Sequence, residues 1–270
     1  MTRPYAEVIG DPIAQSKSPL IHRFWLEKLG IDADYRHAHV LPAELGDYIA
    51  ARRRDPLWRG CNVTAPHKQA VLAACHSITP DVNMIGAANT VANTDASGIS
   101  AHNTDWQGFL RPLGQMYLGG RHAVVIGAGG AARAILYALR ARGIGHVTMI
   151  NRTRKKAAAL LGDLQIVGDV QRPGMALPPA DLLINASTLG MAGFSPLEID
   201  IAPLPSHAAV YDIVYSPLET DLLRAARQRD LICLDGLGML IGQAMAAFSV
   251  FFGEDAPHAD EDDLRALLTS

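Results

Sequence analysis

At 270 residues the chain is long enough for one large or two modest domains and can bury a full core without disulfides or metal staples. Hydrophobic residues make up 49% and charged residues 19%, a mix that excludes a disordered chain. With 24 Lys and Arg against 27 Asp and Glu, the net charge is -3; no global positive field exists to hold a phosphate backbone or anionic lipid, so neither nucleic acid nor a membrane is an expected partner.

The elements follow in chain order. A strand around Tyr5 to Ile9 leads to Ser18-Pro19, which reads as an N-cap and first-turn pair for a helix carrying Leu20, Ile21, Phe24 and Leu29. Tyr35 to Val40 reads as a strand, Ala43 to Arg54 as a helix, and Cys61 to Thr64 as a short strand, with Pro66 opening a helix over Gln69 to Ala74. Asn89-Thr90 and Asn103-Thr104-Asp105 close two further strand-like runs. The middle of the chain alternates strands (His122 to Ile126, His146 to Ile150, Leu182 to Asn185, Ala209 to Val214, Leu231 to Leu234) with helices (to about Arg142, Arg154 to Leu161, Glu219 to Arg229). This order predicts an α/β fold of two domains, 1-105 plus 237-270 and a dinucleotide-binding domain over 106-236, with C-terminal helices returning to the first domain.

Gly236 to Gly253 is 18 residues without a charge. Gly238, Gly242, Gln243 and Ser249 argue for a helix buried between protein layers rather than a bilayer span, and Gln243 inside it then needs a partner or a ligand. Cys61, Cys75 and Cys233 show neither a Cys-x-x-Cys pair nor a disulfide rhythm, and Met1 to Glu7 lacks the apolar segment of a secretory signal, so a cytoplasmic location is expected. His37-x-His39 is a close histidine pair on an alternating strand with no third ligand nearby, and no metal site is expected.

Gly127-Ala128-Gly129-Gly130-Ala131-Ala132 directly follows a strand and opens a helix. The first glycine permits the tight turn, the second lets a pyrophosphate approach the backbone, and the helix N-terminus favours the anion. The next strand ends in Asn151-Arg152-Thr153-Arg154, with Lys155 and Lys156 behind, where an NAD-binding fold places a carboxylate. Cations at a helix N-terminus oppose the dipole, so their placement here points to a clamp on a 2′-phosphate and to NADP(H).

The remaining polar clusters are Gly10 to Pro19, with hydroxyls at Ser16 and Ser18, and Asn62 to Lys68 with Thr64, together with Asn89-Thr90 and Asn103 to Asp105. Each is by itself ordinary turn chemistry. Gly10-x-Pro12-Ile13-x-x-Ser16-x-Ser18-Pro19, Asn62-Val63-Thr64-x-Pro66-x-Lys68, Gly86-Ala87-x-Asn89-Thr90 and Asn103-Thr104-Asp105-x-x-Gly108 occur in that order. Gly127 to Ala131, Asn151-Arg152-Thr153, Tyr211-Asp212-x-x-Tyr215 and Gly236-Leu237-x-Met239-Leu240-x-x-Gln243 follow. Together they resemble the shikimate dehydrogenase family over nearly the whole length.

That resemblance implies reversible reduction of 3-dehydroshikimate to shikimate with NADPH, a step of aromatic amino-acid biosynthesis. It implies Lys68 as catalytic acid/base with Asp105 as its partner, and Ser16 and Ser18 as holders of the substrate carboxylate. It further implies that Thr64, Asn89, Asp105 and Gln243 bond the substrate hydroxyls, that Tyr215 is another substrate contact, and that Ile213 and Gly236 lie beside the nicotinamide. Departures are Gln15, where the family often shows His, Arg23 after His22, Ser187-Thr188 in reversed order, and Lys156 at the place of the family's second phosphate-contacting Arg, which leaves Arg154 or Lys156 to complete the clamp. The rival readings are a paralogue oxidising quinate or an aminoshikimate, a non-catalytic NADP-binding regulator, and a relative of tRNA reductases. Ser18 favours shikimate, since quinate-preferring relatives more often carry Thr there. The expected partner is a small-molecule substrate, with the chain a monomer or homodimer.

Overall fold

The computed structural model describes residues 3–94 and 98–269. The chain divides into two compact units, one made of residues up to Asp105 and from Ile241 onward, the other of Trp106–Leu240.

The first unit begins with β1 (Tyr5–Gly10), α1 (Ser18–Leu29), β2 (Asp34–His39), α2 (Leu45–Arg52) and β3 (Trp58–Val63). β1 lies between β2 and β3 and parallel to both, so all six of its residues are buried. Its Glu7 is tolerated there because Arg36 and Arg52 each reach it at 2.9 Å. A 3-10 turn (Ala70–Ala74), β4 (Ser77–Ile78), α3 (Pro80–Ile85), β5 (Thr90–Thr94), β6 (Gly98–His102) and the start of α4 (Asp105–Leu113) follow. The sheet order is β2-β1-β3-β5-β6-β4, and β5 runs antiparallel to both β3 and β6.

Three local expectations need correcting here. Lys17, not Ser18, stands at the N-cap of α1, and its side chain, which has no acceptor, makes no cap, while the Ser16 and Ser18 hydroxyls bond each other at 3.2 Å. Pro66 opens no helix: residues 65–69 form turns, and only the short 3-10 segment follows. Asn89-Thr90 does not close a strand but begins one. Since β5 is antiparallel, its first residue lies beside the ends of β3 and β6, which is how Asn89 comes to the same rim as Thr64 and Asp105.

The second unit carries β7 (His122–Ile126), α5 (Gly130–Ala141), β8 (His146–Ile150), α6 (Arg154–Asp163), β9 (Gly168–Gln171), β10 (Leu182–Asn185), β11 (Ala209–Asp212), α7 (Asp221–Arg227) and β12 (Ile232–Leu234). Its six strands are parallel in the order β12-β11-β10-β7-β8-β9, the doubly wound dinucleotide-binding order. Both faces are covered, and alternate residues of β7 enter opposite cores: Val125 packs with Ile135, Leu139 and Tyr211, Val124 with Leu183, Val210 and Leu223.

α8 (Gly236–Phe252) and α9 (Glu261–Thr269) end the chain. The division between the units falls within α8, after Leu240. Its distal part packs Phe248 on His22 and Trp25 of α1, and Lys28 pairs with Asp260 at 2.9 Å just before α9. No described helix is long and apolar enough to cross a membrane.

Candidate active site

In the first unit the polar clusters meet along one rim of the sheet. Lys68, in the turn after β3, donates to Asp105 Oδ2 at 2.5 Å, and both side chains are largely shielded, at 17% and 8% exposure. A charge-assisted bond of this length, screened from solvent, holds the ammonium in one place. Asp105 is fixed in turn: it opens α4, its N–H donates to Asn103 Oδ1 at 3.1 Å, and its Oδ1 accepts from Asn89 Nδ2 at 2.9 Å. Asn89 Nδ2 also points at Thr104 Oγ1 (2.9 Å) and Gln243 Oε1 (3.4 Å), so the polar residue of the uncharged helix does find partners in this cluster.

Ser16 lies on the loop into α1 and Ser18 is the first residue of the helix, its N–H also donating to Ser16 Oγ at 3.3 Å. Thr64 follows β3, and its methyl packs against Gly10, where a β-carbon would stand 2.5 Å from it. Two buried residues behind this rim were not singled out from the sequence. Tyr35 donates its hydroxyl to Asn62 Oδ1 at 2.6 Å, and Asn62 Nδ2 donates to Thr90 Oγ1 at 3.0 Å. The available signal was polarity inside an apolar strand, Asn62 between Cys61 and Val63. Tyr35 is stacked on His22 with ring centres 4.0 Å apart. Burial pushes the His22 imidazole down to about 3, so it is neutral.

The other expected residues lie in the second unit. Gly127 has φ +101°, and a β-carbon there would come within 2.9 Å of the Ala186 carbonyl oxygen; only glycine fits this turn. Its N–H donates to Ile150 O at 2.9 Å, which sets the glycine turn beside the end of β8. Ala128 is buried beneath the turn, and Gly130 and Ala131 form the first turn of α5. Asn151 lies between β8 and α6, its amide closing a turn on Thr153 O at 2.9 Å. Arg152, Thr153, Arg154, Lys155 and Lys156 are exposed, and none of the four cations forms an ion pair among the described residues. Arg154 and Lys155 line a groove of about 500 Å³ with Gly168 and Asp169; Lys156 is not part of its lining.

These residues fit a dinucleotide phosphate. Gly129 caps α5 with no side-chain hydrogen bond, a β-carbon there would meet nothing within 4 Å, and the first turn of α5 carries no acidic residue.

Ile213 and Tyr215 follow β11. Gly236 lies so close that a β-carbon would stand 2.2 Å from Ile213 O. Asp212 anchors this loop: its carboxylate accepts from Thr220 Oγ1 (2.7 Å), Asn185 Nδ2 (2.9 Å) and Val214 N (3.0 Å), while burial pushes its carboxyl above the usual value. Burial likewise raises the Tyr215 phenol. Tyr215 thus belongs to a different unit from the Lys68 cluster.

At the three thiols burial outweighs the pull of Arg52 on Cys61 and of Arg227 on Cys233. Burial pushes Cys61 far above its ordinary value, Cys75 up to about 11, and Cys233 upward as well, so none is the reactive thiolate that a tRNA-reductase chemistry requires. Among the described residues no group of three or more His, Cys, Asp or Glu is placed to hold a metal ion.

Three family profiles match in chain order: the shikimate dehydrogenase substrate binding domain over residues 8–91, shikimate / quinate 5-dehydrogenase over 113–189, and the shikimate 5'-dehydrogenase C-terminal domain over 236–265. The chain is 54% identical over 267 residues to the shikimate dehydrogenase (NADP(+)) of Sphingopyxis alaskensis, covering 99% of this chain and 97% of that one. Shikimate 5-dehydrogenase from Thermus thermophilus, solved in complex with NADP(H) and shikimate, is 33% identical with a TM-score of 0.86, covering 98% of this chain and 99% of that one. Quinate dehydrogenase from Corynebacterium glutamicum, solved in complex with NAD, gives a TM-score of 0.89 at 28% identity, with 98% and 99% covered. On these grounds the chain belongs to the shikimate dehydrogenase family.

Proposed function

We propose that the chain catalyses the reversible NADPH-dependent reduction of 3-dehydroshikimate to shikimate, and that Lys68 is its acid/base. The observation that carries the reading is the shielded Lys68–Asp105 bond at 2.5 Å, braced by Asn89, in a member of this family. When bound, NADPH supplies the hydride that reduces the ketone carbon. As the ketone oxygen gains negative charge, the Lys68 ammonium donates a hydrogen bond and then the proton, leaving a neutral amine that is reprotonated from solvent. Asp105 orients the amine before transfer.

The first unit is read as the substrate-binding domain and the second as the NADP domain. Ser16 and Ser18 donate to the substrate carboxylate, while Thr64, Asn89, Asp105 and Gln243 bond its ring hydroxyls. Tyr215 is read as a further substrate contact. Gly127 to Ala131 receive the pyrophosphate, Asn151, Arg152 and Thr153 with Arg154 or Lys156 hold the 2′-phosphate, and Ile213 with Gly236 borders the nicotinamide. The compartment is the cytoplasm, and the working form a monomer or homodimer.

The test is initial rates with shikimate and with quinate, each against NADP⁺ and NAD⁺. The pair shikimate and NADP⁺ leads by at least tenfold, a margin that a two-point phosphate contact supplies. Quinate or NAD⁺ in the lead replaces the substrate or cofactor assignment, and silence in all four removes the shikimate assignment in favour of an aminated substrate or a regulatory role.

A further inference from the structure

A set of hydrogen bonds runs from the core of the first unit to Asp105, and its direction is fixed at both ends. At one end, the Thr104 backbone N–H donates to Asn89 Oδ1 at 2.6 Å while Asn89 Nδ2 faces the Asp105 carboxylate at 2.9 Å. A backbone N–H can only donate and a carboxylate can only accept, so the Asn89 amide has one possible orientation. At the other end, Asn62 Nδ2 donates to the Asn89 backbone oxygen at 3.2 Å, which sets the Asn62 amide and leaves its Oδ1 to accept from Tyr35.

Between the two stands Thr90, fully buried. Its oxygen accepts from Asn62 Nδ2 at 3.0 Å, and of the two acceptors in reach of its single proton, Asn89 Oδ1 at 3.2 Å is nearer than Thr104 Oγ1 at 3.5 Å. The result is one file of donors, Tyr35 to Asn62 to Thr90 to Asn89 to Asp105, ending on the carboxylate that Lys68 touches. Each donor polarises the next in the same sense, and the file lies in a buried, low-dielectric region where such polarisation is felt most.

We infer that Thr90 is a positioning residue for the reaction: its hydroxyl, set by Asn62 and Tyr35, keeps the Asn89 amide donating to Asp105 and so holds the Lys68–Asp105 pair in its working geometry. This rests on the proposed dehydrogenase activity, but the arrangement can be read without it.

Thr90→Val keeps shape and loses the hydroxyl, whereas Thr90→Ser keeps the hydroxyl and loses a methyl. If Thr90 only filled space, Val would outperform Ser. The inference requires the reverse order. Thr90→Val lowers kcat/KM for shikimate by roughly tenfold, the scale of one hydrogen bond in a reacting complex. Thr90→Ser stays within about twofold of the parent, and KM for NADP⁺ is unmoved in both. In parallel, hydrogen exchange of the Asn89 side-chain amide, assigned by its loss in Asn89→Asp, accelerates about tenfold or more in Thr90→Val and in Tyr35→Phe but not in Thr90→Ser. Equal behaviour of Val and parent, or Ser performing no better than Val, overturns the inference. A parent protein inactive on shikimate with NADP⁺ would instead remove the proposed function, and the amide exchange would still decide the role of Thr90.

Discussion

Around Asp105 the polar side chains answer one another, Lys68, Asn89, Thr104 and Gln243 within 3.4 Å of a neighbour in the cluster. Around Arg152 four cations stand in solvent, with no carboxylate among the described residues paired to them. The first region has its geometry fixed by the protein before any substrate arrives, at the cost of burying many groups that must all be satisfied. The second offers backbone N–H groups and charge and leaves the satisfying partner to the ligand. Substitutions in the first region should therefore act through one another, and those in the second one contact at a time.

The largest expected effect lies in the prebuilt region. Lys68→Ala lowers kcat by roughly two to four orders of magnitude with little change in NADP⁺ affinity, as for other lost acid/base groups; an unchanged kcat removes Lys68 from the mechanism. The contrast sharpens in a double-mutant cycle on kcat/KM. Asn89→Ala and Asp105→Asn should couple by about 1 kcal/mol or more, while Asn89→Ala and Arg152→Ala, which share no partner, should add to within about 0.5 kcal/mol. Coupling of the second pair as strong as the first would erase the distinction. Arg152→Ala should raise KM for NADP⁺ by about tenfold while leaving NAD⁺ within about twofold, since only the 2′-phosphate contact is lost. Equal effects on the two cofactors would refute the clamp.

A separate expectation concerns stability. His22 is fully buried, and its imidazole is pushed from 6.5 to about 3. On unfolding below pH 6.5 it must take up a proton that the folded state refuses, so its contribution is intact above pH 6.5 and is lost progressively as pH falls toward about 3. The unfolding free energy from urea titrations between pH 7 and 4 should fall with a slope approaching about 1.4 kcal/mol per pH unit from this group, and His22→Phe should flatten the profile. An unchanged slope would mean that His22 does not set the acid stability of its unit.

How much could be read from the sequence divides along the same line. The glycine turn and Arg152 were legible because strand, turn and helix are consecutive, so that Gly127, Gly129 and Arg152 take their places from local geometry alone. Residues of the Lys68 cluster stood out as polar runs, and Gln243 as a polar residue in an uncharged helix, but their roles came only from a family pattern, and the bonds that join Tyr35, Asn62 and Thr90 behind them were not legible. Tyr35 meets Asn62 across the intervening strand β1, 27 positions apart, and Asn62 meets Thr90 by strand pairing, 28 positions apart, which no local window reveals. The start of β5 was misread as a strand end because an antiparallel return looks the same in periodicity. The edge strand β9 (Gly-Asp-Val-Gln) and the two-residue β4 carry too little apolar signal to stand out.

The pairing of Asn62 with Thr90 across β3 and β5 places both side chains on one face of the sheet. Sliding β5 by a single residue would bring Val91 opposite Asn62 and turn Thr90 to the other face. Chain length within these two strands is therefore constrained more tightly than residue identity: a conservative replacement there costs one bond, whereas one inserted or deleted residue dismantles the whole file of donors at once. Variants that redesign this pocket should be sought by substitution, with length changes kept to segments outside β3 and β5.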